Sequence, residues 1–170
     1  MPFILNPRRR LLPSRLVRIK NELQSPIVKF LLWCGVPNIG YAYVHGKPER
    51  VKLGKGCSTP GTVFNVISGT IEVGDETFFG HNCMVITGIH RFEGGQRVGL
   101  NPNATIKETP SSGNDIRIGR GCFIGSGAII LKNVNIGDNV VVGAGSVVVK
   151  DIPSGHFAAG VPAKIIKALD

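Results

Sequence analysis

A chain of 170 residues with 42% hydrophobic side chains has the length of one domain and enough apolar content to bury a core, which excludes a disordered tail or linker. The formal charge is +9, and it is uneven: residues 1–50 carry nine Lys/Arg against two Glu, while residues 51–170 carry eleven against nine Asp/Glu. The basic excess therefore belongs to the N-terminal segment, and no aromatic–basic interleaving accompanies it, so nucleic acid is not an expected partner.

In residues 1–50, Leu12, Leu16, Ile19, Leu23, Ile27 and Phe30 recur at a roughly helical spacing. Pro13 precedes them, Ser14 is a candidate cap and Pro26 interrupts them. The spacing predicts a partly helical segment that either packs on the body or meets an anionic membrane peripherally through residues 8–31. The apolar run Phe30 to Val36 is too short to span a bilayer. With no secretory leader in view, a cytoplasmic setting is expected, at the inner membrane face if that segment binds lipid.

From Val51 onward the chain keeps a different beat. Ile118, Ile124, Ile130, Ile136, Val142 and Val148 are aliphatic and six apart, and glycine follows four of them. Six such hits in one register arise by chance about once in 4,000. Compact residues stand four places after the aliphatic ones: Cys122, Ala128, Val134, Val140 and Ser146. Leu53, Val73, Phe79 and Val85 carry a weaker version, with a two-residue irregularity between Leu53 and Val73. Six residues make a short strand and a tight corner, and three such units make one triangular coil. The pattern predicts an all-β solenoid, a parallel β-helix whose aliphatic positions stack inward. Cys57, Cys83 and Cys122 fall on the compact inward position, as small core residues and not nucleophiles. No cysteine pair has C-x-x-C spacing, so no metal is expected.

The beat fails between Arg91 and Asp115, directly after His90. An excursion of that length within a compact domain points to function. At the end, Pro162 suits the first turn of a helix, and Ile165, Ile166 and Leu169 suit a cap on the open coil. The expected organisation is a basic segment at 1–50, a β-helix at 51–160 with an excursion at 91–115, and a short capping helix at 161–170.

Thr87 to His90 ("TGIH"), Cys122 to Pro153 and Ala158 to Ile166 ("AAGVPAKII") resemble the hexapeptide-repeat acyltransferases, within them the galactoside, maltose and surface-polysaccharide O-acetyltransferases. The likeness runs from about Val51 to the C-terminus. It implies a left-handed coil, and the hand comes from the resemblance alone, since parallel crossovers are right-handed in about 98% of cases. It also implies acetyl-CoA as acyl donor, a carbohydrate acceptor, and a homotrimer with each active site between two subunits.

By the same resemblance His90 is the general base. An imidazole has an ordinary pKa of about 6.5 and typically contributes about 10²–10⁴ in rate. Ser126 and Ala144, one coil apart on glycine-rich corners, match cofactor-binding positions, with an oxyanion donor near Ser126. Val149 stands where galactoside-type enzymes carry Thr, and Phe123 where another relative has Trp. Lys164 and Lys167 match basic positions facing CoA phosphates, as point charges. Asn65 and Asn82 compete for the acceptor-holding asparagine, and Arg91 is a further acceptor candidate beside Glu93 and Arg97. Each of these has a plainer reading as a corner or a solvated face. Three rivals stay open: N-acetyl transfer to an amino sugar nucleotide, a non-catalytic β-helix scaffold, and a zinc site, for which only His81 and His90 lie close in sequence.

Overall fold

The computed structural model describes Leu16–Val17 and residues 42–169. The described chain winds into a three-sided prism of short parallel strands. Face one stacks β2 (Ala42–His45), β4 (Val63–Asn65), β7 (Met84–Ile86), β12 (Ile129–Leu131) and β15 (Val147–Val148). Face two stacks β3 (Val51–Leu53), β5 (Ile71–Val73), β10 (Ile116–Ile118) and β13 (Asn135–Ile136). Face three stacks β6 (Phe78–Phe79), β11 (Phe123–Ile124), β14 (Val141–Val142), β16 (His156–Gly160) and β17 (Ala163–Ala168).

The register shows why the six-residue beat works. Arg117 pairs with Asn135, Phe123 with Val141 and Ile129 with Val147, each one full coil of 18 residues later. The earlier coil from Val51 to Ile71 spans 20, which absorbs the two-residue irregularity. The coil that pairs Met84 with Ile129 spans 45, so the excursion adds 27 to an ordinary turn of the prism. All six aliphatic hexad positions from Ile118 to Val148 are buried. Each belongs to a column running along the prism, such as Val44, Phe64, Val85, Ile130 and Val148 on face one. Every such side chain contributes about 1.5–3 kcal/mol on burial. Cys57, Cys83 and Cys122 are buried, and burial pushes their thiols up.

Coils stack at a spacing that dictates residue choice at the corners. A Cβ on Gly125 would lie 2.5 Å from the Ala144 backbone nitrogen. Asn82, Asn133 and Asn139 take φ of 59°, 57° and 54° at other corners, a conformation asparagine tolerates better than most residues.

One helical expectation fails, and a second meets strand at the two residues described. The final segment is strand, not helix: Ala163–Ala168 runs antiparallel to His156–Gly160, with Val161 and Pro162 in the connection. The open edge of β16 offers unpaired backbone groups, and Ile165 and Ile166 favour the extended form. In the N-terminal segment, Leu16–Val17 forms a strand, β1, paired antiparallel with Ala42 and Tyr43. The other positions of the expected helix and of the membrane contact at 8–31 lie outside the described residues. Among the described residues no helix is long and apolar enough to cross a membrane.

Candidate active site

Two edges of the prism carry the residues singled out from the sequence. The chain passes from face three to face one through Gly125, Ser126 and Gly127, a corner here termed the serine edge. It passes from face one to face two at the loop edge, where the excursion leaves after β7.

The loop edge is built from β4 and β7. Thr87 is buried, and both its N–H and its hydroxyl donate to the carbonyl of Asn65, at 3.0 and 2.9 Å. The next residue, Gly88, lies against the Asn65 amide: a Cβ there would stand 2.8 Å from Oδ1. Asn65 Oδ1 in turn accepts the Ile67 N–H at 3.1 Å. Asn65 therefore braces the segment that leads from β7 to His90. The His90 side chain is 61% exposed, and its Nδ1 lies 3.1 Å from Glu108 Oε1. Arg97 Nε stands 3.2 Å from the same oxygen. The Glu108 carbonyl also accepts the Arg91 N–H at 2.8 Å.

The excursion is ordered by its own bonds. It opens with a hairpin of β8 (Phe92–Glu93) and β9 (Gln96–Arg97) about Gly94 and Gly95. The Glu93 carboxylate accepts the Thr105 hydroxyl at 2.7 Å and the Thr105 N–H at 2.9 Å, which holds Glu93 below the usual carboxylate range. On the return, Asn114 donates to the Ser68 carbonyl, and Asp115 accepts the N–H and hydroxyl of Thr70 at 2.7 and 2.9 Å.

The chemistry of this edge is that of an oriented base. In the tautomer that donates Nδ1–H to Glu108, the imidazole has Nε2 as its acceptor nitrogen, the role a general base requires. Glu108 was not legible from spacing, because the contact closes across 18 residues of non-repetitive chain. The only signal was compositional: Glu93, Glu108 and Asp115 are the carboxylates of residues 91–115.

The serine edge presents backbone instead of side chains. Ser126 Oγ accepts the His81 N–H at 3.2 Å, and the Ser126 carbonyl accepts the Gly145 N–H at 2.9 Å. Among the described residues, the N–H groups of Ser126 and Ala144 have no acceptor, and both residues are exposed. Lys164 pairs with Ala159, whose Cβ lies beside Gly143, so Lys164 stands in the row next to that of Ser126 and Ala144. Lys167 pairs with Phe157 on face three.

The remaining candidates divide between the two edges. Asn82 sits at the serine edge in a left-handed turn, beside His81. Arg91 sits on the loop side, its backbone bonded to Glu108 and Val98. Val149 is exposed at the loop edge, just after β15, away from the column of Ser126 and Ala144. His81 and His90 stand at opposite edges of face one. A strand of three residues with a rise of about 3.3 Å each separates these edges by about 10 Å.

The outer surfaces also differ. Face two presents Lys52, Glu72 and Arg117, with Lys52 Nζ 2.6 Å from Glu72. Face one presents Tyr43, Val63, Met84, Ile129 and Val147, and face three presents Phe78, Phe123, Val141 and Phe157. Met84 is 40% exposed and Phe123 49%.

Residues 115–150 match the family profile described as bacterial transferase hexapeptide, six repeats. No curated protein sequence matches the chain. Among solved structures, the chain is similar to a maltose O-acetyltransferase from Clostridium difficile 630, at 29% identity and a TM-score of 0.61, over 75% of this chain and 64% of that one. It therefore spans somewhat less than two thirds of that relative. A hexapeptide-repeat-containing acetyltransferase from Vibrio cholerae aligns at 25% identity and a TM-score of 0.59, over 75% of this chain and 67% of that one. A serine acetyltransferase from Neisseria gonorrhoeae aligns at 29% identity and a TM-score of 0.52, over 75% and 41%.

Proposed function

We propose that the chain is a hexapeptide-repeat acetyltransferase, an acetyl-CoA-dependent O-acetyltransferase acting on a hydroxyl of a sugar or polysaccharide precursor; the profile match at residues 115–150 and the acetyltransferase structures it resembles support this. The observation that carries this reading is the His90–Glu108 pair at 3.1 Å, on a side chain 61% exposed that follows by two residues the Gly88 packed on Asn65. A neutral alcohol needs such a base when it attacks a thioester.

In the proposed reaction the acceptor oxygen bonds to the acetyl carbonyl carbon as Nε2 of His90 takes the hydroxyl proton. The tetrahedral oxyanion accepts a backbone N–H at the serine edge, for which the unpaired Ser126 N–H is suited. Collapse breaks the carbon–sulfur bond, and the departing thiolate recovers the proton from the imidazolium. The free Ala144 N–H offers a bond to the pantetheine arm, and Lys164 and Lys167 offer charge to the CoA phosphates. No acyl-enzyme forms, consistent with buried thiols.

His90 and Ser126 occupy different edges of one prism, so a site that uses both is assembled from two copies. Two apolar outer faces that meet at the serine edge suit this arrangement. A cyclic oligomer uses two different surfaces of each copy, and a homotrimer is the expected closure.

The test is a screen for acetyl-CoA-dependent thiol release with maltose, other sugars, an amino sugar nucleotide and serine, with the product identified by mass spectrometry. An O-acetylated sugar supports the reading. N-acetylation, O-acetylserine or no release with any acceptor overturns it.

A further inference from the structure

Arg50 lies outside every role given so far. It closes the short turn Pro48–Arg50 at the loop edge of the first coil, and it is half-buried. Its Nη1 donates to three carbonyls: Val66 at 3.1 Å, Ile67 at 3.3 Å and Ser111 at 2.8 Å. The first two belong to the next coil, and the third belongs to the returning leg of the excursion, 61 residues away.

Both ends of the catalytic pair depend on what this guanidinium holds. Val66 and Ile67 follow Asn65, whose Oδ1 is fixed by the Ile67 N–H and whose amide lies on Gly88, two residues before His90. Ser111 follows Glu108 by three residues. One charged group thus ties the corner at Val66 and Ile67, next to the Asn65 that packs on Gly88, to the returning leg, which carries Glu108. Charge-assisted bonds from a planar guanidinium are stronger and more directional than neutral ones. The excursion otherwise reaches the coil near its return through Asn114 and Asp115, which lie further from Glu108.

We propose that Arg50 is a positioning residue for the His90–Glu108 pair, a three-carbonyl clamp that sets the spacing between the excursion and the loop edge. The proposal rests on the reading of His90 as the base. Removing the clamp leaves the serine edge untouched, so it lowers turnover without changing acetyl-CoA affinity. A shift of about 1 Å at a reacting group is enough to cost about a hundredfold in rate.

The experiment uses the full chain as wild type, Arg50→Ala, Arg50→Lys, Glu108→Gln and the Arg50→Ala/Glu108→Gln double variant. Thermal melts verify that each is folded at the assay temperature, and Arg50→Lys replaces Arg50→Ala if the latter is not. Amide hydrogen exchange gives a readout independent of activity. The amides of Arg91, Val98 and Asn114 should exchange about tenfold faster in Arg50→Ala, while those of Gly119 and Ile129 keep wild-type rates. With the acceptor identified by the screen, kcat should fall about ten- to a hundredfold with the acetyl-CoA KM within about twofold. Arg50→Lys should recover part of the rate. The double variant should be no slower than Glu108→Gln alone, because both act on one pair. Unchanged exchange in Arg50→Ala overturns the clamp, and so do rate losses that multiply in the double variant. If His90→Ala retains turnover, or the screen yields no acceptor, it is the reading of the site that falls, and exchange alone then decides whether Arg50 holds the excursion.

Discussion

Glu108 lies 18 residues beyond His90, yet its Oε1 is 3.1 Å from His90 Nδ1. The pair is exposed, and Arg97 shares the same carboxylate oxygen at 3.2 Å. Removing the imidazole should therefore cost more than removing its partner. His90→Ala is expected to lower kcat about 10²–10⁴-fold with acetyl-CoA binding retained. Glu108→Gln should cost less and leave the acetyl-CoA KM unchanged. Steady-state kinetics check both, and a Glu108→Gln variant equal to wild type would remove Glu108 from the site.

Ser126 is proposed to act through its N–H, so its hydroxyl should be dispensable for chemistry. Ser126→Ala removes only the bond from the His81 N–H, a loss of about 0.5–1.5 kcal/mol in stability. Turnover should stay within a few-fold of wild type. An inactive but folded Ser126→Ala would instead point to a covalent acyl-serine step.

The apolar outer rows of faces one and three should be covered in solution. Met84→Glu and Phe123→Glu, each in an exposed outward row, should shift the assembly toward monomer in light scattering, and turnover should fall with it. A fully active monomer in either variant would contradict a site shared between copies.

The thiols of Cys57, Cys83 and Cys122 are pushed up by burial, so at pH 8 they stay protonated and enclosed. In a Cys34→Ser background, iodoacetamide should label none of the three until denaturant is added, with mass spectrometry as the readout. Rapid labelling of any one in the native protein would show that its column opens.

Asp115 is held below the usual carboxylate range by the N–H and then the hydroxyl of Thr70, with the charges of Arg117 and Arg50 adding to it. Because the folded value is depressed, the tie is fully present above the unfolded value of about 3.9 and is lost as pH falls through the lower folded value. Exchange of the Thr70 amide should accelerate over that acid range, and Asp115→Asn should flatten the dependence. An Asn variant with the same pH profile would place the effect elsewhere.

The six-residue beat was legible because it is local: the buried Ile118, Ile124 and Ile130 recur one coil later as the buried Ile136, Val142 and Val148, so inward and outward residues separate by count alone. The inward cysteines followed from the same count. The C-terminal segment misled, because Pro162 and the spacing of Ile165, Ile166 and Leu169 suit a helix, while the open strand edge that captures Ala163–Ala168 exists only after the coil has formed. Glu108 and Arg50 had no periodic signature, since both act across a segment where the repeat is suspended.

By itself the sequence determined the prism, its buried columns, the glycine-rich corners and the place where the winding breaks, because hydrophobic burial at a fixed interval depends only on order along the chain. Tertiary structure alone decided that His90 packs toward Asn65 on an edge other than that of Ser126 and Ala144, and that Glu108 returns to the imidazole. Those relations depend on how an aperiodic segment closes in space, through hydrogen bonds between residues far apart in sequence, and no interval in the sequence encodes that distance.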